Sequence, residues 1–207
     1  SSSTRGVFGG GWIVNIIQYV TISVIANATD FGDLTVARCY LAACSSSTRG
    51  VFGGGVINPP SSNTIDYITI ATPANAIDFG DLTAVMDRLA ACSSSTRGVF
   101  GGCYSNINTI DYITTASTGN AADFGDLTIG RHILAACSST TRGIFAGGDG
   151  PKNVMDYITI STTGNATDFG DLTLARGGLA ACSSSTRGVF GGGSTTVAVN
   201  NVDYITI

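Results

Sequence analysis

The sequence predicts an all-β fold in which one supersecondary unit is repeated in series. The phrase Ser-Ser-Ser-Thr-Arg-Gly-Val-Phe-Gly-Gly begins at Ser1, Ser45, Ser93 and Ser183, and a close variant begins at Ser138. A regular period of this length is typical of repeat architectures. The composition also favours strands and turns, because there are 28 glycines and no glutamate, and no segment has the pattern of a long amphipathic helix.

Size and charge narrow the range of functions. The chain of 207 residues is long enough for one large domain. Its formal net charge is −4, which argues against the binding of nucleic acid through a basic surface. The sequence contains no run of 18 apolar residues, so we expect a soluble protein without a membrane span.

The first two strands of each unit come from the repeated phrase and the residues just before it. In the second copy, strand a covers residues 41–46 and consists mainly of small side chains. A Ser-Thr-Arg-Gly turn leads into strand b at residues 50–54. Strand b ends in two or three glycines, which suit a crowded position where only a bare backbone fits.

The other two strands follow a loop of variable length. Strand c covers residues 65–70, where apolar and polar side chains alternate as in a half-buried strand. A turn containing an Asn-Ala pair precedes strand d at residues 78–83. Four strands joined in series form a meander, and a repeated four-stranded meander is the blade of a β-propeller. A parallel β-solenoid is the main alternative, although it does not account for the hairpin turns.

This order of features resembles the kelch repeat, over essentially the whole chain. The double glycine of that repeat corresponds to Gly53 and Gly54, the strand-c tyrosine to Tyr67, and the late aromatic, usually tryptophan, to Phe79. The arginine that follows the last kelch strand corresponds to Arg38, Arg131 and Arg176, with Met86 in its place in the second copy. The amino-acid sequence of the repeat also resembles repeats in predicted structural and tail-associated proteins of marine tailed phages, which implies a structural role in a virion.

The number of strands does not fill five complete blades. Strands b and c occur five times, whereas strands a and d occur four times, which gives 18 strands. We therefore expect a single repeat domain over residues 1–207, with partial blades at 1–35 and 174–207 and whole blades at 36–83, 84–128 and 129–173. Both ends fall inside a repeat, so the chain is either a ring with two incomplete blades or a slice of a longer array.

Differences between the copies are concentrated on one predicted face. Every insertion lies in the b–c loop, and many substitutions lie in the d–a connector, which emerges on the same side of a meander. Loops on a rigid scaffold often carry binding residues, although drift in unconstrained loops explains the variation equally well. The candidate binding residues are Trp12, Tyr40, Asn58, Pro59, Arg88, Tyr104, Asn106, His132 and Lys152.

Recurring charged residues suggest structural ion pairs. The arginine of the repeated phrase, called the marker arginine, occurs as Arg5, Arg49, Arg97, Arg142 and Arg187. Strand c carries an aspartate at Asp66, Asp111, Asp156 and Asp203. We expect these aspartates to pair with the marker arginines within or between blades, in contacts that fix register more than they add stability.

Neither a metal centre nor a disulfide framework is expected. Cys44, Cys92, Cys137 and Cys182 take the same position in successive units, too far apart for a bridge, so buried thiols are the simplest interpretation. Aspartate pairs such as Asp78 and Asp81 could contribute to a calcium site, but calcium takes six to eight oxygens. Alternatively, the first aspartate accepts turn amides and the second pairs with an arginine.

Three classes of function remain for the chain. We expect a non-enzymatic structural or adhesive module of a virion or another extracellular assembly, with protein subunits or a glycan as partner and no cofactor. A glycan- or protein-binding module that acts through the variable loops is the alternative. A hydrolase or lyase is the weakest of the three, because no acid or base stands out against the uniform background of repeats.

Overall fold

Five small antiparallel sheets follow one another as the blades of a β-propeller in the computed structural model, which describes residues 1–58 and 60–207. The two end blades have three strands and the inner blades have four. The first blade comprises β1 (Arg5–Gly9), β2 (Ile16–Thr21) and β3 (Thr29–Asp33). The second comprises β4 (Ala42–Ser45), β5 (Arg49–Gly53), β6 (Thr64–Thr69) and β7 (Ile77–Asp81). The third comprises β8 (Ala90–Ser93), β9 (Arg97–Gly101), β10 (Thr109–Thr114) and β11 (Ala122–Asp126). The fourth comprises β12 (Ala135–Ser138), β13 (Arg142–Ala146), β14 (Val154–Thr159) and β15 (Thr167–Asp171), and the fifth comprises β16 (Ala180–Ser183), β17 (Arg187–Gly191) and β18 (Val202–Thr206).

The predicted propeller and its incomplete end blades are confirmed. Each sheet is a simple meander with antiparallel neighbours, as in β4-β5-β6-β7, so the solenoid alternative is wrong. The strand boundaries differ from the expected ones by one or two residues. The strands of type a lie innermost, because β4, β8, β12 and β16 contact one another in succession.

The hydrophobic core lies between blades and not within them. We call the contact between one blade and the next along the chain a junction. Each of the four inner junctions contains one cluster of buried apolar residues. Between the second and third blades, Phe79 and Met86 pack with Phe100 and Ile113. A single blade could not bury its apolar faces, so each blade depends on its neighbour for stability.

The glycine that ends strand b is required by the following blade. A Cβ atom at Gly53 would lie 2.7 Å from the ring of Phe100, which is fully buried against it. The same arrangement joins Gly9 to Phe52 and Gly101 to Phe145. The crowding that the sequence suggested at these glycines therefore comes from an aromatic ring of the next blade.

The recurring Asp-Phe-Gly triplet forms a β-bulge. In the second blade Ile65 pairs with Gly80 and Asp66 pairs with Asp78, so that Phe79 is the extra residue. Gly80 has a φ angle of 139°, and a Cβ atom there would lie 2.6–2.9 Å from the backbone of Gly119 and Asn120 in the c–d turn of the next blade. The bulge turns Phe79 into the core, and the glycine lets the next blade approach closely.

Serine side chains connect the innermost strands. The Ser45 amide donates to Ser93 Oγ at 3.3 Å, and the Ser93 hydroxyl donates back to the Ser45 carbonyl at 2.8 Å. The same reciprocal pair joins Ser93 to Ser138 and Ser138 to Ser183. These bonds satisfy strand edges that face the central channel, where unpaired backbone groups would otherwise be costly.

We expect Gly53→Ala to destabilise the protein by about 1–3 kcal/mol, because the added methyl group overlaps the Phe100 ring in a packed core. Gly191→Ala is the matched control at the same position of the fifth blade, where the nearest atom is 3.8 Å away. Urea unfolding of the dilute chain measures both. Equal losses for the two variants would contradict this account of the junction.

Candidate binding face

The b–c loops and d–a connectors lie together on one face, which we call the variable face. In the second blade, Val56 of the loop pairs with Cys39 of the connector through backbone hydrogen bonds. In the third blade the Tyr104 amide donates to the Asp87 carbonyl at 3.2 Å. Corresponding bonds join loop and connector in the fourth and fifth blades. The variable loops of the second to fifth blades are therefore each held by the connector that enters the same blade.

One connector position has a left-handed backbone in every copy. Tyr40, Arg88 and Ile133 have φ angles of 56°, 57° and 54°, and Gly178 occupies the same position in the last copy with a φ angle of 67°. The Arg88 amide donates to the Tyr40 carbonyl at 2.9 Å, and the Ile133 amide donates to the Arg88 carbonyl at 2.8 Å. This backbone chain from blade to blade fixes the strained conformation and presents a variable side chain at a constant place.

A row of aromatic and cationic side chains runs across the variable face. The rings of Trp12 and Tyr40 meet edge to face with centroids 6.1 Å apart. The Arg88 guanidinium lies 4.8 Å from the centroid of Tyr40 and 4.2 Å from that of Tyr104. Tyr104 in turn meets the ring of His132 at 5.0 Å. We call these five side chains the aromatic row; they come from five different segments and span four blades.

The far end of the aromatic row is anchored by hydrogen-bonding groups. His132 is buried, with its Nε2 atom 3.3 Å from Asp149 Oδ2 and its Nδ1 atom 3.4 Å from Asn106 Oδ1. The Arg88 guanidinium has its own carboxylate neighbour, because Nε lies 3.7 Å from Asp87 Oδ2. Arg88 and His132 thus each have a carboxylate close by within the face.

A cavity of about 380 Å³ opens beside the exposed end of the aromatic row. Trp12 and Tyr40 line it together with Cys39 and Leu41, and residues 9–11, all glycines, form part of its wall. Trp12 is the single tryptophan of the chain, and it is 73% exposed. Such exposure is unusual for so large an apolar side chain. The cavity combines exposed aromatic rings with accessible backbone groups.

The structure brings most of the candidate binding residues together. Trp12, Tyr40, Arg88, Tyr104, Asn106 and His132 belong to the aromatic row or contact it. Asn58 and Lys152 lie in the b–c loops of the second and fourth blades, outside the row, and Pro59 lies outside the described residues. Asp149, Asp87 and the three glycines of the cavity were not among the candidates. The left-handed connector position precedes the recurring cysteine by the same number of residues in every copy, and the sequence showed this constant spacing.

The expected pairing of strand-c aspartates with marker arginines is wrong. Asp66 pairs with Arg38 at 2.9 Å, and Asp156 pairs with Arg131 at 3.0 Å, all four side chains being fully buried. Asp203 pairs with Arg176 at 2.9 Å. These arginines belong to the d–a connectors and were noted only through the resemblance to kelch repeats. The marker arginine begins strand b and pairs in register with the end of strand c, as Arg49 does with Thr69, whereas Asp66 lies opposite Phe52 further along the strand.

The marker arginines instead stack on the strand-c tyrosines. Their guanidinium carbons lie 4.4–4.8 Å from the ring centroids of Tyr19, Tyr67, Tyr112, Tyr157 and Tyr204. Arg5, Arg49 and Arg97 also donate to backbone carbonyls of the following blade, as in the 3.0 Å bond from Arg97 to Ile160. The repeated phrase therefore contributes a cation–π contact and a link between blades.

One buried aspartate has no arginine opposite it among the described residues. Asp111 faces the second connector, where Met86 takes the arginine's position, and it accepts bonds from the Thr83 amide at 2.8 Å and hydroxyl at 2.7 Å. Burial raises the pKa of the Asp111 carboxyl, and the two Thr83 bonds offset only part of that rise. For Asp203 burial also raises the pKa, but the bonds from Thr173 and Arg176 outweigh it, so the net shift is downward.

The four recurring cysteines line the channel as free thiols. Cys44, Cys92 and Cys137 are buried and Cys182 is exposed, so the expected burial holds for three of the four. Burial raises the pKa of the Cys44 and Cys137 thiols to about 12, and a neighbouring cysteine contributes to the rise at Cys137. Among residues 1–58 and 60–207, no group of three or more histidine, cysteine or acidic side chains could hold a metal ion.

Comparison with protein-family models and with curated proteins finds no match to this chain. The fold is thus established by the geometry of the blades. The described part of the chain contains no helix long and apolar enough to cross a membrane.

We expect Asp156→Asn to cost about 3–5 kcal/mol, because it leaves the buried Arg131 without a counter-charge. Asp111→Asn, its matched control, should change stability by no more than about 1 kcal/mol, because it removes a carboxylate that no arginine compensates. Chemical denaturation at pH 7 measures both variants.

The raised pKa of Asp111 also predicts a pH dependence. The folded state binds this proton more tightly than the unfolded state, so Asp111 contributes stability below its ordinary pKa of 3.8 that is lost as pH rises through the raised folded pKa. As the pH rises through that interval, the unfolding free energy of the wild type should therefore fall relative to that of Asp111→Asn. A difference that is constant with pH would contradict the assignment.

Proposed function

We propose that this chain is a non-enzymatic adhesive module, of the kind displayed by a virion or another extracellular assembly, and that it binds a neutral glycan through its variable face. The observation that carries the proposal is the aromatic row with the cavity at its exposed end. The rigid blades, which resemble kelch repeats, would serve as the scaffold, and the loops would supply the ligand contacts.

The geometry of the aromatic row favours a ligand with flat apolar surfaces. Trp12 and Tyr40 present exposed rings at nearly right angles, 86° apart, so that a ligand in the cavity would contact one ring face and one ring edge. Sugar rings combine apolar C–H faces with hydroxyl groups, which suits aromatic rings beside backbone donors and acceptors. A cavity of about 380 Å³ has the size of a small-ligand site.

The charges of the variable face favour a neutral ligand. The Arg88 guanidinium is shared between two tyrosine rings and has Asp87 beside it, and His132 has Asp149 beside it. The Arg88 guanidinium would therefore offer little uncompensated charge to an acidic ligand. The strand-c aspartates are held by threonines and, except at Asp111, by connector arginines of the framework, which supports the non-enzymatic part of the proposal.

A glycan array with neutral, sialylated and sulfated sugars tests this proposal, followed by calorimetry with the best neutral ligand. We expect Trp12→Ala to weaken binding at least tenfold, about 1.4 kcal/mol. Tyr204→Ala is the matched control, because Tyr204 is 67% exposed but lies on a strand of the fifth blade, away from the variable loops.

The possible outcomes separate the alternatives. Selective binding of charged glycans, or equal losses in the two variants, would contradict the proposed site. If no glycan on the array binds, the glycan proposal is overturned. In that case a pull-down with the wild type and Trp12→Ala side by side decides whether a protein partner uses the same face.

A further inference from the structure

The a–b and c–d turns lie at the opposite ends of the strands from the variable loops, and we call the surface that they form the uniform face. Each c–d turn begins beside the a–b turn of its own blade, as the 2.9 Å bond from the Ile70 amide to the Thr48 carbonyl shows. None of the 14 aspartates of the chain lies in these turns. The a–b turns comprise residues 46–48, 94–96, 139–141 and 184–186, and the c–d turns comprise residues 22–28, 70–76, 115–121 and 160–166.

The marker arginines bring positive charge to the uniform face, and no carboxylate balances it. None of the ion pairs among the described residues includes a marker arginine. In Arg5, Arg49 and Arg97 the hydrogen bonds to backbone carbonyls of the described residues use the Nη1 atom alone. These three side chains are only half-buried, so the other N–H groups of each guanidinium are left for solvent or a ligand.

A cavity of about 420 Å³ lies beside Arg5, between the first and second blades. Hydroxyl side chains make up most of its wall, because Ser47, Thr48 and Thr69 face residues 2–4 of the first copy across it. None of the described residues that line the cavity is acidic or aromatic. The cavity therefore combines one guanidinium with several hydroxyl groups.

The hydroxyl groups of this wall are accessible to a ligand. The a–b turn itself is closed by the Ser46 hydroxyl, which accepts bonds from the Thr48 amide at 3.3 Å and the Arg49 amide at 3.1 Å. Ser47 and Thr69 are exposed and take no part in closing the turn.

The same residue types recur at the next two junctions. Arg49 donates to the Thr115 carbonyl and Arg97 to the Ile160 carbonyl, both at 3.0 Å, as Arg5 donates to the Ile70 carbonyl at 2.8 Å. An exposed serine or threonine occupies every position equivalent to Ser47, Thr48 and Thr69 at these junctions, namely Ser95, Thr96 and Thr114, and then Thr140, Thr141 and Thr159. The arrangement beside Arg5 is thus repeated around the uniform face.

An arginine among hydroxyl groups, without a carboxylate, suits a sulfate group. The guanidinium presents N–H donors in a planar fork that matches two oxygens of an oxyanion. Serine and threonine hydroxyls can donate to the remaining oxygens of a tetrahedral group. A cationic ligand would be repelled by the guanidinium, and a single-stranded nucleic acid would find no aromatic ring in the wall on which a base could stack.

We propose that the uniform face binds a sulfated polysaccharide, with sulfate groups held beside Arg5, Arg49 and Arg97. A polymer is the ligand because the sites recur around one face, so that several sulfate groups of one chain bind together and each raises the effective concentration of the next. The sugar hydroxyls between the sulfate groups find further partners in the exposed serines and threonines of the turns.

Calorimetry with dextran sulfate tests the proposal, with neutral dextran, inorganic sulfate and single-stranded DNA as the comparison ligands. The chain has a net charge of −4 and repels polyanions as a whole, so binding requires a local site. We expect dextran sulfate to bind at least about 100-fold more tightly than inorganic sulfate, and neutral dextran not to bind. The absence of dextran sulfate binding would overturn the site. Equal affinity for inorganic sulfate would overturn the polymeric ligand, and equal affinity for DNA would overturn the assignment to a polysaccharide.

Arg49→Gln should weaken the binding of dextran sulfate about tenfold, because a charged hydrogen-bond donor is lost. Arg88→Gln is the matched control, since it removes the same charge from the variable face and should leave the affinity unchanged. Equal losses in the two variants would show a general attraction of charges and contradict the site.

A second variant avoids the loss of the contact between Arg49 and Tyr67, which also supports the fold. Thr69→Val keeps a β-branched side chain at an exposed strand position and removes one hydroxyl from the cavity. It should weaken the binding of dextran sulfate with an unchanged melting temperature, whereas Thr64→Val, at the other end of the same strand, should not. Equal affinities of these two variants would contradict the role of the cavity.

The proposal is independent of glycan binding by the variable face. Trp12→Ala should bind dextran sulfate as the wild type does, because Trp12 lies in the b–c loop of the first blade. Loss of dextran sulfate binding in Trp12→Ala would place the ligand on the variable face and overturn the inference for the uniform face.

Discussion

Packing of each blade on the next is the constraint on which the rest of this structure depends. The apolar clusters lie at the junctions, so a blade is stable only beside another blade. The phenylalanine of strand b needs a residue without a bulky side chain opposite it, and the bulge glycine of strand d needs the next c–d turn close to its backbone. These requirements account for the phrases that recur almost unchanged along the chain.

Burial at the junction also decides which charged residues pair. A connector arginine and a strand-c aspartate lie together where water is excluded, and the arginine side chain also donates to the carbonyl of the buried phenylalanine, as Arg131 does to Phe145 at 3.0 Å. The second connector departs from this pattern with Met86, which leaves Asp111 to its threonine alone. At this junction the Asp111 carboxyl is therefore buried without an ion pair, and its pKa is raised.

Constancy of the framework makes the variable face possible. Because the connector backbone is linked from blade to blade, positions 40, 88, 133 and 178 have the same conformation while their side chains differ. Tyrosine, arginine, isoleucine and glycine at one repeated place produce an asymmetric surface on a symmetric scaffold. The aromatic row is a consequence of this arrangement, since its members come from separate segments that only the propeller brings side by side.

The sequence by itself determined the repeated four-stranded blade, the 18 strands and the face on which the copies differ. Period, alternation and turn residues are local properties, and hydrogen bonding within one blade is enough to express them. The tertiary structure alone decided that Asp66 meets Arg38 and not Arg49, that Trp12 meets Tyr40, and that Phe8 lacks the neighbour that buries Phe52. Those contacts join residues that are far apart in the sequence, and their partners are set by how strands and connectors pack together, for which the local sequence carries no signal.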